Sequence, residues 1–223
     1  MSSPIILVHG AWHGAWCFEK LSNLLEEQGI ATTAVNLPLQ GTEGDIDMVR
    51  GVIAETPGAV VLGHSYGGLV ITHASTGMDI SHLVYLCALM PDKGENVDEL
   101  VANAASATSL GQAMVVEADG SVAINPDLAV AAFYDDCDPI EAADSIRRLR
   151  PQVMEPFPVL YEEPAWREIS STYVLCREDK ALHPDLQRDF ALRAQKVVEM
   201  PGAHSPFLSR PNEMCDILMA LVE

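Results

Sequence analysis

The sequence predicts an α/β fold: a mostly parallel sheet of about six strands flanked by helices, with a helical cap inserted after the fourth strand. Three observations predict it. Short apolar, β-branched runs alternate with longer helical patterns, the order that a parallel sheet with crossover helices requires. Most of these runs are continuously apolar rather than alternating, as strands covered on both faces are. One connection breaks the rhythm, because about 85 residues separate the fourth run from the fifth, far too many for a structureless loop in a compact domain.

The strand runs cover residues 5–9, 31–37, 60–63, 82–86, 172–176 and 196–200, and helical segments are expected near 17–28, 45–56, 66–76, 184–194 and 211–222. Gly29 and Gly77 stand where helices end, and Pro184 and Pro211 suit a first helical turn. The long connection carries its own helix signal in Asp138-Pro139-Ile140-Glu141, an N-cap followed by proline and then a glutamate three residues on. Behind it Ile140, Ala143, Ile146 and Leu149 recur at helical spacing, and Pro151, Pro156, Pro158 and Pro164 mark a return path. Residues 1–89 and 166–223 are therefore expected to form the core, and 90–165 a helical cap over the end of the sheet.

Composition agrees with one domain and an insertion: 223 residues, 48% hydrophobic and 20% charged. Thirteen Lys and Arg against 32 Asp and Glu give a formal charge of −19. That charge repels nucleic acid and anionic membrane surfaces, and no basic stripe overrides it. Cys17, Cys87, Cys137, Cys176 and Cys215 are odd in number, widely spaced and without a C-x-x-C pair, which reads as reduced thiols in a cytoplasmic protein. The first residues carry no positive charge, so no signal peptide is expected. Residues 59–71, the stretch most like a membrane span, hold His64, Ser65, Tyr66 and glycines and make a poor lipid-facing helix.

The strongest local signal is Gly63-His64-Ser65-Tyr66-Gly67, which fits G-x-S-x-G between an expected strand and an expected helix. A sharp turn there strains the central serine, and small residues two positions before and after avoid a clash with it. A serine hydroxyl needs a base in reach, itself oriented by a third group. His204, on the loop after the last strand, is the best base, and Asp179, after the fifth strand, is the favoured acid. Glu178, Asp185 and Asp92 are alternatives for that acid. Two N–H donors are needed for an oxyanion, and Tyr66 at the helix start and Ala11 after the first strand are placed to supply them, with Gly10 allowing close backbone approach. No histidine pair stands at metal-ligand spacing with a third ligand, so no metal centre is expected. Of the other histidines, His13 is the best candidate for lining a pocket.

The segments LVHGAWHGAWCF, GHSYGG, EDKALHPDLQ and GAHSPFLSRP together resemble the α/β-hydrolase superfamily. Within it the chain is most similar to the plant methylesterase and hydroxynitrile lyase branch and its small bacterial esterase relatives, a likeness that AFYDDCDP and RRLRPQ extend through the cap. The resemblance implies Ser65, Asp179 and His204 as the triad, Ala11 and Tyr66 as the oxyanion loop, and no cofactor. The lyase members place a threonine after the early-strand histidine and a lysine after the catalytic one. Here those places hold Gly10 and Ser205, so ester hydrolysis is the better expectation, with a carbon–carbon lyase or a non-catalytic small-molecule receptor as alternatives.

Trp12, Met90, Phe133, Phe157, Leu160 and Phe207, with Gly10 and His13, are the candidate pocket linings. A mostly apolar set and a charge of −19 favour neutral, small or aromatic esters over polyanionic ones. The partner expected is thus a small-molecule ester, with homodimerisation left open.

Overall fold

A computed structural model describes residues 2–105 and 108–222; Met1, Ser106, Ala107 and Glu223 lie outside the described residues. The chain runs β1 (Ile5–Val8), α1 (Glu19–Glu27), β2 (Thr32–Val35), α2 (Thr42–Glu55), β3 (Ala59–His64), α3 (Tyr66–Ala74) and β4 (Ile80–Leu86). After a long connection it resumes with β7 (Ser171–Cys176), α8 (Pro184–Ala191), β8 (Lys196–Met200), α9 (Pro206–Ser209) and α10 (Pro211–Val222). The connection itself carries α4 (Val97–Ala105), α5 (Ser109–Ala113), β5 (Met114–Val116), β6 (Val122–Ile124), α6 (Pro126–Phe133) and α7 (Pro139–Arg148).

The sheet has six strands in the order β2-β1-β3-β4-β7-β8, every neighbouring pair parallel, as the sequence predicts. β1, β3 and β7 are buried along their whole length, which is why their sequences lack alternation. The chain leaves β1 to build β2 on one side and then crosses to β3 on the other. The crevice beyond the carboxyl ends of β1 and β3 is therefore a topological switch point, where open α/β sheets place ligands.

Two expectations for the connection need correction. It is not wholly helical, because β5 and β6 pair antiparallel, Met114 with Ile124 and Val116 with Val122. Their turn is closed by Asp119, whose Oδ1 accepts from Ser121 N and Oγ at 3.0 and 2.7 Å. Strands of three residues are too short for a period of two to stand out. In α7, the cap forms as expected, with Asp138 Oδ1 accepting from Ile140 N at 2.9 Å. The buried face is different: Ala142 and Ser145 are buried, whereas Ala143 is exposed and Ile140 is 82% exposed. Small side chains let this short helix sit close to its neighbours, while Ile146 and Leu149 of the expected row pack half-buried against the core.

Candidate active site

β3 ends inside the sheet, and the chain must turn within one residue to start α3. Ser65 takes that turn at φ 54°, ψ −121°, a conformation that a side-chain-bearing residue adopts only under strain. The surroundings hold it there: Ser65 N donates to Leu86 O at 3.1 Å and its carbonyl accepts from Leu89 N at 3.0 Å. The turn also needs glycines. A Cβ on Gly63 would lie 2.5 Å from the Gly67 carbonyl oxygen, and one on Gly67 would lie 2.6 Å from Val8 O. Ser65 is left half-buried, facing a cavity of about 290 Å³.

The loop after β1 comes up against this turn, since a Cβ on Gly10 would lie 2.9 Å from Ser65 Cβ. Two histidines brace the loop from behind. His9 Nδ1 donates to Gly10 O at 2.8 Å while its Nε2 accepts from Leu37 N at 3.0 Å. His13 Nδ1 donates to Ala11 O at 2.8 Å while its Nε2 accepts from the Tyr134 hydroxyl at 2.9 Å. Each ring thus serves as one donor and one acceptor, which only the neutral form can do. Burial favours that form, lowering His9 to a pKa of about 4 and His13 to about 3. Ala11 and Tyr66 both line the cavity beside Ser65. Tyr66 opens α3, so its N–H is one of the four at a helix start with no acceptor in the helix. Its hydroxyl, which burial keeps protonated, donates to Asp45 Oδ2 at 2.8 Å, while Asp45 Oδ1 accepts from Leu39 N at 2.9 Å.

The third strand end brings in Asp179, 3% exposed. Its Oδ1 accepts from Ala181 N and Leu182 N at 2.7 and 2.9 Å, and its Oδ2 from Gln187 Nε2 at 2.8 Å and His204 Nδ1 at 2.7 Å. A carboxylate only accepts, so Nδ1 carries a proton, and Nε2 is the ring nitrogen left outside this pair. The His204 ring is stacked on Phe133 at 5.7 Å, and its carbonyl accepts from His64 Nε2 at 2.8 Å and from the Cys87 thiol at 3.5 Å. A strained serine, a carboxylate-oriented imidazole and helix-start N–H groups at a switch point can carry out acyl transfer.

The alpha/beta hydrolase family model matches residues 5–217 of this chain. The chain belongs to that family. Within it, this α/β-hydrolase falls in the plant methylesterase-like branch. It is 28% identical to norfluorocurarine synthase 2 from a Strychnos species over 98% of this chain and 94% of that one. It is 25% identical to methylesterase 3 of Arabidopsis thaliana, over 97% and 95%. The crystal structure of polyneuridine aldehyde esterase superposes with a TM-score of 0.85 at 24% identity, covering 100% of both chains, and shows the shared fold.

The other acid candidates of this α/β-hydrolase lie elsewhere. Glu178 is exposed, Asp185 pairs with Arg188 at 2.6 Å on the surface, and Asp92 pairs with Arg167 at 2.7 Å. Of the expected linings, Trp12 and Phe157 border the cavity. Gly10, His13, Met90, Phe133, Leu160 and Phe207 do not: all are buried, and the aromatic ones pack behind the site, with Phe207 edge-on to His64 at 4.8 Å. His13 is occupied by its two hydrogen bonds, and Met90, Phe133 and Phe207 pack into the core instead. Much of the wall comes instead from the connection, including Asp98, Leu110, Met114, Gln152 and Met154.

Gln187 was not foreseen either. It reaches Asp179 only because α8 folds back, its Oε1 accepting from Cys176 N at 3.0 Å. Among the described residues, His64, Cys87 and His204 form one buried group whose ligand atoms lie within 4.8 Å of one another. His64 Nε2 and His204 Nδ1 are already spent on His204 O and Asp179, and burial pushes the Cys87 thiol well up, so this set serves the hydrogen-bond network.

Proposed function

We propose that this protein is a carboxylic ester hydrolase working through an acyl-enzyme. Ser65 Oγ attacks the ester carbonyl as its proton passes to His204 Nε2, and the oxyanion is held by the N–H groups of Ala11 and Tyr66. Collapse breaks the bond to the alkoxide, which takes the proton from His204. Water then attacks the acyl group, giving a proton to His204, and Ser65 leaves with that proton as the acid is released. Asp179 keeps the imidazole in the Nδ1–H form throughout.

The observations that support this reading are the strained Ser65 facing a cavity and a buried His204–Asp179 pair, 2.7 Å apart, whose imidazole lies 4.6 Å from the ring of His64, the residue before Ser65. Relatives named as methylesterases support ester cleavage. Residues 90–165 act in this reading as the substrate-selecting cap, supported by their share of the cavity wall. The site has no cation next to His204, where Ser205 stands, so a departing cyanide has no partner there. Reaction with a fluorophosphonate followed by mass mapping tests the reading. Label on Ser65 is expected, and a folded protein that takes no label there would overturn it.

A further inference from the structure

Among the described residues lining the cavity in front of Ser65, Asp98 alone carries a charge. It is half-buried, and one of its oxygens, Oδ2, accepts from Phe157 N at 2.9 Å. A carboxylate offers about four acceptor positions, so most of its capacity remains for a ligand. Gln152 borders the same cavity at 3% exposure, but its Oε1 is sealed from solvent without a hydrogen-bond partner and so offers the cavity no acceptor. Its backbone is pinned on both sides, Gln152 N donating to Val122 O at 2.9 Å and Val122 N to Gln152 O at 2.8 Å. The neighbouring cation, Arg150, is turned away and committed to the carbonyls of His13 and Leu37.

The cavity therefore presents one carboxylate without a cation to balance it, inside a wall that is otherwise largely apolar and includes the rings of Trp12, Tyr66 and Phe157. A wholly apolar ligand would strip water from the Asp98 carboxylate and return nothing. An anionic one would be repelled by Asp98 and by the −19 charge of the chain. A protonated amine reverses both effects: it pairs with Asp98 and is attracted to aromatic faces.

We propose that the preferred substrates are esters bearing a protonated amine, with Asp98 as the residue that selects it. This rests on the ester-hydrolase reading and replaces the neutral esters expected from the sequence with cationic ones. The test is kcat/KM at pH 7.5 for four matched methyl benzoates carrying 4-aminomethyl, 4-hydroxymethyl, 4-ethyl or 4-carboxymethyl groups. The aminomethyl ester is expected about tenfold above the ethyl ester, with hydroxymethyl between them and carboxymethyl last. Asp98→Asn, which can still accept from Phe157 N, should bring the aminomethyl-to-ethyl ratio close to one.

An ethyl ester cleaved as well as the aminomethyl ester, or a ratio that survives Asp98→Asn, overturns the proposal and leaves ester hydrolysis standing. If none of the four is cleaved while Ser65 still reacts with the fluorophosphonate, the same ranking is read from how strongly each slows that labelling. No cleavage and no label overturns both readings. The ranking in the unsubstituted protein decides the matter even if a variant fails to fold.

Discussion

The two sides of the cavity are built to different standards. On the sheet side the carboxylate and the loop carbonyls are firmly held: Asp179 accepts four hydrogen bonds, and the Ala11 and His204 carbonyls are each gripped by a buried histidine. On the side of the β4–β7 connection, Asp98 makes one such bond, Gln152 Oε1 makes none, and Met114 and Met154 are more than one-third exposed. Groups that move protons need orientation, and rigid strand ends provide it. Groups that sort ligands need only complementary chemistry, and a loosely held wall can change without disturbing the proposed acyl chemistry.

The sharpest way to break this contrast is to loosen the sheet side at one atom. Asp179→Asn keeps an acceptor for Ala181 N and Leu182 N but favours the wrong imidazole tautomer. A fall in kcat of about ten-thousand-fold is expected, with a much smaller change in KM. Steady-state kinetics on any cleaved aryl ester measures it, and a loss of only a few-fold would return the acid role to Asp92, Glu178 or Asp185.

Acid should also strike the two regions unequally, because all seven histidines lie outside residues 90–165. His9 and His13 titrate near 4 and 3 in the folded protein against 6.5 when unfolded. Their depressed values mean that the unfolded chain binds more protons below 6.5, so their stabilisation is complete above that pH and drains as pH falls towards 4 and 3. Each should cost about 2 kcal/mol on going from pH 7.5 to 5.0. His64 acts in the same direction, and Asp45, whose carboxyl burial pushes up, acts in the opposite one. The urea midpoint should drop clearly over that interval, with His13→Gln flattening the dependence; an unchanged midpoint would contradict the neutral, doubly bonded histidines.

Much of the sheet side was legible in the sequence because its signals are local. A strained strand-to-helix turn demands glycines beside Ser65, and a histidine on the loop directly after the last strand has few structural reasons to be there. The wall was not legible, since whether Phe133 or Leu110 faces a cavity depends on how the connection folds back. Phe133 turns out to stack on the His204 ring, and Leu110 reaches the cavity from a five-residue helix with little periodicity to read. The same limit hid Gln187, a residue defined by its partners across space.

One residue crosses the divide, and it should behave like the sheet side despite lying in the connection. Arg150 Nε and Nη2 donate to His13 O at 3.0 and 2.7 Å, Nη2 also reaches Leu37 O at 3.0 Å, and its backbone N donates to Trp12 O at 2.8 Å. Arg150→Met keeps much of the stem but abandons two buried carbonyls, which should cost about 2 to 3 kcal/mol in a urea titration. A looser Trp12–His13 segment would also shift the Ala11 N–H, so kcat should fall about tenfold with KM little changed.

The smallest effect belongs to the wall itself. Met154 borders the cavity and is 36% exposed, so truncation to alanine removes a flexible side chain that no neighbour depends on. Stability should move by no more than about 0.5 kcal/mol, as for most surface substitutions. The kcat/KM values for short and bulky esters should diverge by about tenfold, one pocket side chain being worth roughly 1 to 3 kcal/mol of discrimination. An equal change for every ester, or a large loss of stability, would place Met154 with the held side of the cavity and erase the distinction between the two regions.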